Sequence, residues 1–346
     1  MVDKIYAMSS FLQFRTVYDQ NIKFSEKLGY PLKKNYSENR TQINTSEELH
    51  NYIKNYIEQK TADGKAALAL SGGIDSAIFA KFMPKNSIAY TFKCVVPERN
   101  VIDETVKAKY FCDINNLEQR IVEVYWKDFE EYVPILMKNK NAPMHSIEVQ
   151  IYKAAVQAKN DGFDKLIFAE GADAIFGGLN SLLSKDFTIG EFIDRYSFVL
   201  PYKVLKQFIL VLEPYKYVCK NGYIDVHSFI DRQFFLEYMN SYFNACECAN
   251  IEFATPFINL VHKPLDIMRV RNGDSKYLVR EVFKRLYPDA DMAPKIPMPR
   301  PMDEWFANWE GPKRSEFWEN CHVNLTGDQK YYVWILEKFL NLFDKE

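Results

Sequence analysis

The chain has 346 residues, 47% of them hydrophobic, and a formal net charge of −2. Its length suits two domains, or one with a large extension, and its composition excludes a disordered chain. The near-neutral charge argues against a general nucleic-acid binder, and the lack of a long uncharged run excludes a membrane-spanning helix. The six cysteines, Cys94, Cys112, Cys219, Cys246, Cys248 and Cys321, form neither a Cys-x-x-Cys zinc pair nor a dense disulfide framework. The first residues lack the apolar run of a signal peptide, so a reducing cytoplasm is expected.

Residues 1–60 read as an N-terminal extension. Within it, 9–28 is aromatic and amphipathic, 31–44 is a polar loop, and Thr45 with Glu48 predicts a capping box that opens a helix ending near Gly64. The five small apolar residues 66–70 predict a buried strand, followed by a helix that Pro84 and Asn86 end. Further strands are predicted over 87–96, 120–124 and 165–169, with helices over 103–115, 128–140 and 147–159 between them. Such alternation predicts an α/β domain over 61–185 built on a doubly wound parallel sheet. Beyond it the period changes. Helices are predicted over 186–196, 201–212, 226–249, 260–271, 275–286 and 330–343, with a proline-dense loop over 291–302, so 186–346 reads as a mainly helical region. The 26 Phe and 22 Tyr, the Phe denser in the second half, are expected to pack a core.

Two stretches carry chemistry. Ser71-Gly72-Gly73-Ile74-Asp75-Ser76 joins the first apolar strand to its helix. Amides in such a turn, and the unpaired N–H groups of the helix start, make an anion site to which the serines add hydroxyls. Asp75 would repel phosphate unless a divalent cation lay between them, so the string points to magnesium-nucleotide chemistry. It lacks the Gly-Lys-Ser/Thr ending of the Walker loop. The second stretch, Glu170-Gly171-Ala172-Asp173-Ala174-Ile175-Phe176-Gly177-Gly178, places two carboxylates and three glycines at the carboxyl end of the fourth strand. Carboxylates there can hold metal or move protons, or can simply cap a helix.

The first string resembles the Ser-Gly-Gly-x-Asp-Ser loop of the N-type ATP pyrophosphatases. The second is similar to the Gly-Glu-Gly-Ser-Asp-Glu-x-x-Gly-Gly-Tyr segment of the asparagine synthetase family. Thr255-Pro256-Phe257-Ile258-Asn259 is similar to that family's Arg-x-Pro-Phe-Leu-Asp, and Ser275-Lys276-Tyr277-Leu278-Val279-Arg280 to its Lys-x-x-Leu-Arg helix. Pro294-Lys295-Ile296-Pro297 stands where the family has a loop lysine, with Trp305 following in place. The likeness covers roughly residues 60–310. It implies an adenine nucleotide alpha hydrolase-like fold and an adenylating ligase using ATP and Mg²⁺. A substrate carboxylate would attack the α-phosphate, releasing pyrophosphate, and ammonia or an amine would then displace AMP. By the same resemblance, Ser71, Gly72, Gly73 and Ser76 would bind phosphate, and Asp75 and Asp173 would hold Mg²⁺. Phe92 and Gly171 would frame adenosine, while Lys295 and Glu170 would act at the reacting centre.

Three departures qualify the likeness. Glutamine-dependent members carry a cysteine directly after the initiator methionine, where this chain has Val2, and the sixty residues ahead of the ATP loop are too few for a glutaminase domain. Nitrogen is therefore expected as ammonia or an amine, or from a separate glutaminase or other ammonia donor. Ala174 replaces the family's glutamate after Asp173, and Thr255 its arginine, which puts aspartate as substrate in doubt. His145, just ahead of a predicted helix, is a substrate-side candidate or a packed histidine. Lys276 and Arg280 could touch phosphate or be helix-face charges. Sulfur or nitrogen insertion into a nucleobase is a second reading, opposed by the charge and the missing Cys-x-x-Cys pair. A non-catalytic nucleotide-binding relative is a third.

Overall fold

The computed structural model describes residues 1–34, 39–292 and 298–343. In order the chain forms helix α1 (Lys4–Phe14), α2 (Ser46–Thr61), strand β1 (Ala66–Ala69), α3 (Ile74–Phe82), β2 (Ile88–Cys94), α4 (Thr105–Asn115), β3 (Glu118–Val124), α5 (Trp126–Lys140), α6 (Glu148–Asn160) and β4 (Lys165–Ile167). Short helices α7 (Ala172–Ile175), α8 (Asn180–Leu183), α9 (Ile189–Tyr196) and α10 (Glu213–Tyr217) follow. Then come α11 (Val226–Gln233), a π-helical turn (Phe234–Met239), α12 (Asn240–Cys248), β5 (Glu252–Ala254), α13 (Ile267–Arg271), α14 (Tyr277–Leu286), α15 (Met302–Trp305) and α16 (Gly327–Phe343).

The central sheet runs β3-β2-β1-β4-β5 and is parallel throughout. Its middle strand, β1, is buried along its whole length, as a strand covered on both faces must be. Helices α2, α3, α4 and α14 pack together over one face, and α5, α6 and α12 over the other. This is the doubly wound α/β sheet that the strand–helix alternation predicts. The predicted capping box is present: Glu48 N–H donates to Thr45 Oγ1 at 3.1 Å and Thr45 N–H to Glu48 Oε2 at 3.2 Å.

The structure differs from the sequence reading in three places. β5 is an additional strand, only three residues long, that the C-terminal region places beside β4. Residues 201–212 are not helical beyond one 3₁₀ turn (Pro201–Lys203). The segment lies along α1, where Val211 N–H donates to Gln13 Oε1 at 2.8 Å and Ile209 N–H to Ser9 Oγ at 3.0 Å. Those side chains are themselves fully buried and satisfy backbone that a helix would have paired internally. Residues 260–271 form a helix only from Ile267; Leu260–Val261 pair instead with Thr41–Gln42, and Pro264 intervenes.

The second half is held by aromatic packing. Phe192, fully buried, has its ring centroid 5.0 Å from that of Phe229 and 5.7 Å from that of Tyr196. Phe192→Ala is expected to lower unfolding free energy by about 3–5 kcal/mol, because a phenyl-sized void opens in a core that cannot collapse around it. Urea denaturation followed by circular dichroism measures the loss; a cost under about 1 kcal/mol would show that this core repacks freely.

Candidate active site

The strand order reverses at β1, with β2 on one side and β4 on the other. Turns leaving the carboxyl ends of two such strands diverge to opposite faces of the sheet and open a crevice between them, where ligands of doubly wound folds sit. A cavity of about 350 Å³ occupies that place, within the range of small-molecule sites. Its outer wall comprises Ser71, Asp75 and Ser76 from the β1–α3 turn, Thr91 and Phe92 from β2, and Phe168, Ala169, Glu170 and Asp173 from the turn after β4.

Hydroxyls tie the β1–α3 turn together. Ser76 Oγ donates to Ser71 O at 3.0 Å, and Gly73 N–H donates to Ser71 Oγ at 3.3 Å. Gly73, the N-cap of α3, supplies no side chain to the first-turn amides, so their donor capacity and partial positive charge are left for a ligand.

Asp75 and Asp173 converge on one ammonium. Lys276 Nζ lies 2.5 Å from Asp75 Oδ2 and 3.1 Å from Asp173 Oδ1, and Lys276 is 6% exposed. Lys276 therefore points inward from the start of α14 and is no surface charge. Gly178 makes this approach feasible: a Cβ there would collide with the Asp173 carboxylate and the Lys276 stem. Asp75 Oδ1 is buried with no hydrogen-bond partner among the described residues. Two carboxylates already sharing one cation, with a spare buried oxygen, fit a divalent ion completed by phosphate oxygens and water. Magnesium commonly takes only one or two protein carboxylates, and no cluster of three or more metal-ligating side chains occurs among the described residues.

Glu170 is fixed from two sides. Tyr242 O–H donates to Glu170 Oε2 at 3.0 Å, and Thr255 Oγ1 donates to the Glu170 carbonyl at 3.0 Å. Thr255, at the position where the likeness would place an arginine, thus braces the turn that carries Glu170. Gly171 follows with φ of +117°, and a Cβ on it would strike Phe234 and Phe257. It shapes the turn but does not line the cavity.

The inner wall comes from distant parts of the chain: Arg15 beyond the end of α1, His145 ahead of α6, Phe234 and Tyr238 from the π-helical turn, and Arg300. The Arg15 guanidinium lies over the Phe198 ring, 3.3 Å from its centroid, and donates to Tyr238 Oη at 2.8 Å. Behind it Arg15 pairs with Glu237, which is 1% exposed. His145 Nδ1 accepts Ile147 N–H at 3.1 Å, which leaves the neutral ring's proton on Nε2. Burial, with Arg15, Arg300 and Lys140 nearby, holds the His145 pKa well below the usual imidazole range. Burial likewise pushes Glu237 up to about 7, against the pull of Arg15. The π turn sets Phe234 and Tyr238 on the cavity wall and Glu237 beneath them; single π turns recur at functional sites.

Comparison with known proteins bears on this geometry. The asparagine synthase family model matches residues 54–210, which hold the first four strands, the β1–α3 turn and the turn after β4. The likeness to that family is thus confined to the region holding both turns. A Methanocaldococcus jannaschii protein named for glutamine-hydrolysing asparagine synthetase is 26% identical over 152 residues, 42% of this chain. The chain spans only 27% of that relative's length. Among solved structures, an NH₃-dependent NAD synthetase from Campylobacter jejuni aligns with TM-score 0.26 and 16% identity, over 38% of this chain and 60% of its own. An NMN synthetase from Francisella tularensis aligns with TM-score 0.29 and 10% identity, over 73% and 99%. A tRNA thiolase from Methanococcus maripaludis gives 0.24 and 16%, over 74% and 88%. At these scores the three structural likenesses carry neither fold nor function across.

Of the residues singled out in the sequence, Ser71, Asp75, Ser76, Phe92, Glu170 and Asp173 all line the one cavity. Gly72, Gly73 and Gly171 do not line it and act through the turns they form. Lys295 lies outside the described residues. His145 does line the cavity, as does Ala174. Arg15, Tyr238 and Tyr242 carry no motif that marks them in the sequence.

Because Glu237 holds its proton more tightly folded than unfolded, stability falls as pH rises from about 4.5 to about 7. Glu237→Gln is expected to flatten that decline, by an amount on the order of 1–3 kcal/mol, while lowering stability overall through the loss of charge opposite Arg15. Urea midpoints across this pH range measure it; an unchanged slope would mean Glu237 ionises normally.

Proposed function

We propose that this chain is an ATP-dependent, amide-forming ligase of asparagine synthetase type. The convergence of Asp75 and Asp173 on a single cation at the strand switch point, beside the uncapped start of α3, carries the reading. The triphosphate lies against the amides of Gly72, Gly73 and the first turn of α3, with Ser71 and Ser76 as hydroxyl donors, and adenosine lies beside Phe92. Asp75 and Asp173 would hold Mg²⁺, and the ion would supply charge neutralisation at the phosphates. Lys276 then turns from the two aspartates towards phosphate oxygens.

The acyl substrate enters from the inner end of the cavity. Its carboxylate oxygen bonds to the α-phosphorus as the α–β bridging bond breaks, giving an acyl-adenylate and pyrophosphate. Ammonia or an amine adds to the acyl carbon, loses a proton and expels AMP, leaving the amide. Glu170, oriented by Tyr242, sits where it can accept that proton. Lys295 is assigned to the charge developing on phosphate and on the tetrahedral oxyanion. On this reading residues 61–185 carry the nucleotide, while 1–60 and 186–346 complete the acyl side. All six cysteines are free and no helix among the described residues is long and apolar enough to cross a membrane, which supports work in a reducing cytoplasm.

Pyrophosphate release from Mg·ATP, screened over carboxylic acids with ammonia as acceptor, tests the reaction. Release is expected to need both a carboxylic acid and ATP; release that needs tRNA instead, or calorimetry showing no ATP binding, would overturn the reading. Asp75→Asn is expected to cut turnover by roughly a thousandfold. Lys295→Ala is expected to cost about 100-fold, and full activity in that variant would remove Lys295 from the reacting centre.

A further inference from the structure

Lys276 is braced from behind. Its backbone lies in the left-handed region, with φ of +52°, which a residue with a side chain keeps only where its surroundings impose it. The next residue, Tyr277, ties this point of the chain to two other segments. Tyr277 O–H donates to His262 Nε2 at 2.6 Å, and Tyr277 Oη accepts the Asp266 N–H at 3.3 Å. His262 Nδ1–H donates to the Ile43 carbonyl at 2.7 Å, which in the neutral ring leaves Nε2 as the acceptor for Tyr277. The His262 ring also lies against that of Phe176, with centroids 5.7 Å apart, and Phe176 belongs to the turn that carries Asp173. His262 and Tyr277 are both buried. One histidine thus supports both partners of the Lys276–Asp173 pair.

In front of this brace, the Lys276 ammonium stands between the two aspartates, where a divalent ion would have to lie to use them both. Its stem runs so close to Gly178 that a Cβ there would meet it. Asp75 Oδ1 stays buried beside it without a hydrogen-bond partner among the described residues, so the lysine neutralises the site without completing it. Repulsion between an ammonium and a divalent ion scales with the product of their charges, and the two cannot share a gap that a pair of carboxylates already spans. Resting on the ligase reading for the place it gives the ion, we propose that Lys276 is a resident cation that bars divalent metal from the nucleotide-free site. His262 and Tyr277 are its positioning residues; neither lines the cavity. The brace fixes the Lys276 backbone and leaves the ammonium at the end of a flexible stem. The ammonium gives up its place when phosphate oxygens offer it another partner, so the metal enters together with the nucleotide and not ahead of it.

Mn²⁺ serves as the probe, because the enhancement of water proton relaxation reports its binding to the protein with no turnover. Without nucleotide, the wild-type chain is expected to give no enhancement with Mn²⁺ in the millimolar range. Lys276→Gln leaves the two carboxylates unopposed by the ammonium and is expected to bind Mn²⁺ at least roughly 10-fold more tightly. Asp75→Asn in that background is expected to abolish the gain. Tyr277→Phe keeps the ring and the ammonium but releases the brace, and is expected to give a several-fold gain. Combined with Lys276→Gln it is expected to add nothing, which a merely structural role for Tyr277 would not produce. Should Lys276→Gln fail to fold, Tyr277→Phe and His262→Phe carry the same readout. Nucleotide-free wild type that binds Mn²⁺ through Asp75, or Lys276→Gln and Tyr277→Phe that gain no affinity, would overturn the proposal. The ligase reading is tested apart from it, by adding the α,β-methylene analogue of ATP to the wild-type chain with Mn²⁺, where enhancement is expected. Its absence, with the gain in Lys276→Gln intact, would discard the nucleotide and keep Lys276 as the resident cation.

Discussion

Two carboxylates held within reach of one buried ammonium are the constraint on which the site depends. Asp75 starts α3, Asp173 lies in α7, and Lys276 precedes α14, so the ion triad joins both turns of the strand switch point to the C-terminal region. Without a cation between them the aspartates would repel by about 3 kcal/mol at an effective dielectric of ~20. Some positive charge must therefore always be present. In the free protein Lys276 supplies it; under the proposed function a divalent ion would take that place. Gly178 follows from the same demand, since any side chain there would displace the carboxylate or the lysine.

The sheet was legible because its signals are local. Ala66–Ala69 is apolar at every position, and the three other strands read from the sequence alternate with helices. β5 was illegible for the opposite reason: three residues after a long helix take strand form only because β4 offers a free edge. Residues 201–212 have acceptable helical composition, yet Ser9 and Gln13 claim their amides. Tertiary hydrogen bonding there outweighs a propensity worth only tenths of a kcal/mol per residue.

The same division runs through the cavity. The side that the proposed function gives to nucleotide is built from two continuous stretches, Ser71 to Ser76 and Glu170 to Gly178, where chemistry and backbone geometry coincide in a short string. Its inner side has no string to read. Arg15, His145 and Tyr238 are separated by more than ninety residues at each step and meet only once α1, α6 and the π turn have packed. Arg15 sits in a buried stretch in which Phe11, Leu12, Phe14 and Val17 read as core.

That contrast is itself a functional statement. Phosphate chains are alike from one ATP to the next, so a fixed string of amides, hydroxyls and carboxylates can meet them. Acyl groups differ, and a pocket that must discriminate among them needs donors whose positions can be set independently. Placing Arg15, His145 and Tyr238 on three unrelated elements, with Glu237 buried behind Arg15, is costly: the ion pair has to be desolvated and the π turn must forgo α-helical hydrogen bonding. Replacing a buried ion pair by hydrophobic residues of similar volume is often neutral or stabilising, so packing alone does not account for Arg15 and Glu237. The cost is explained if the guanidinium that Glu237 supports is there to be met by a substrate.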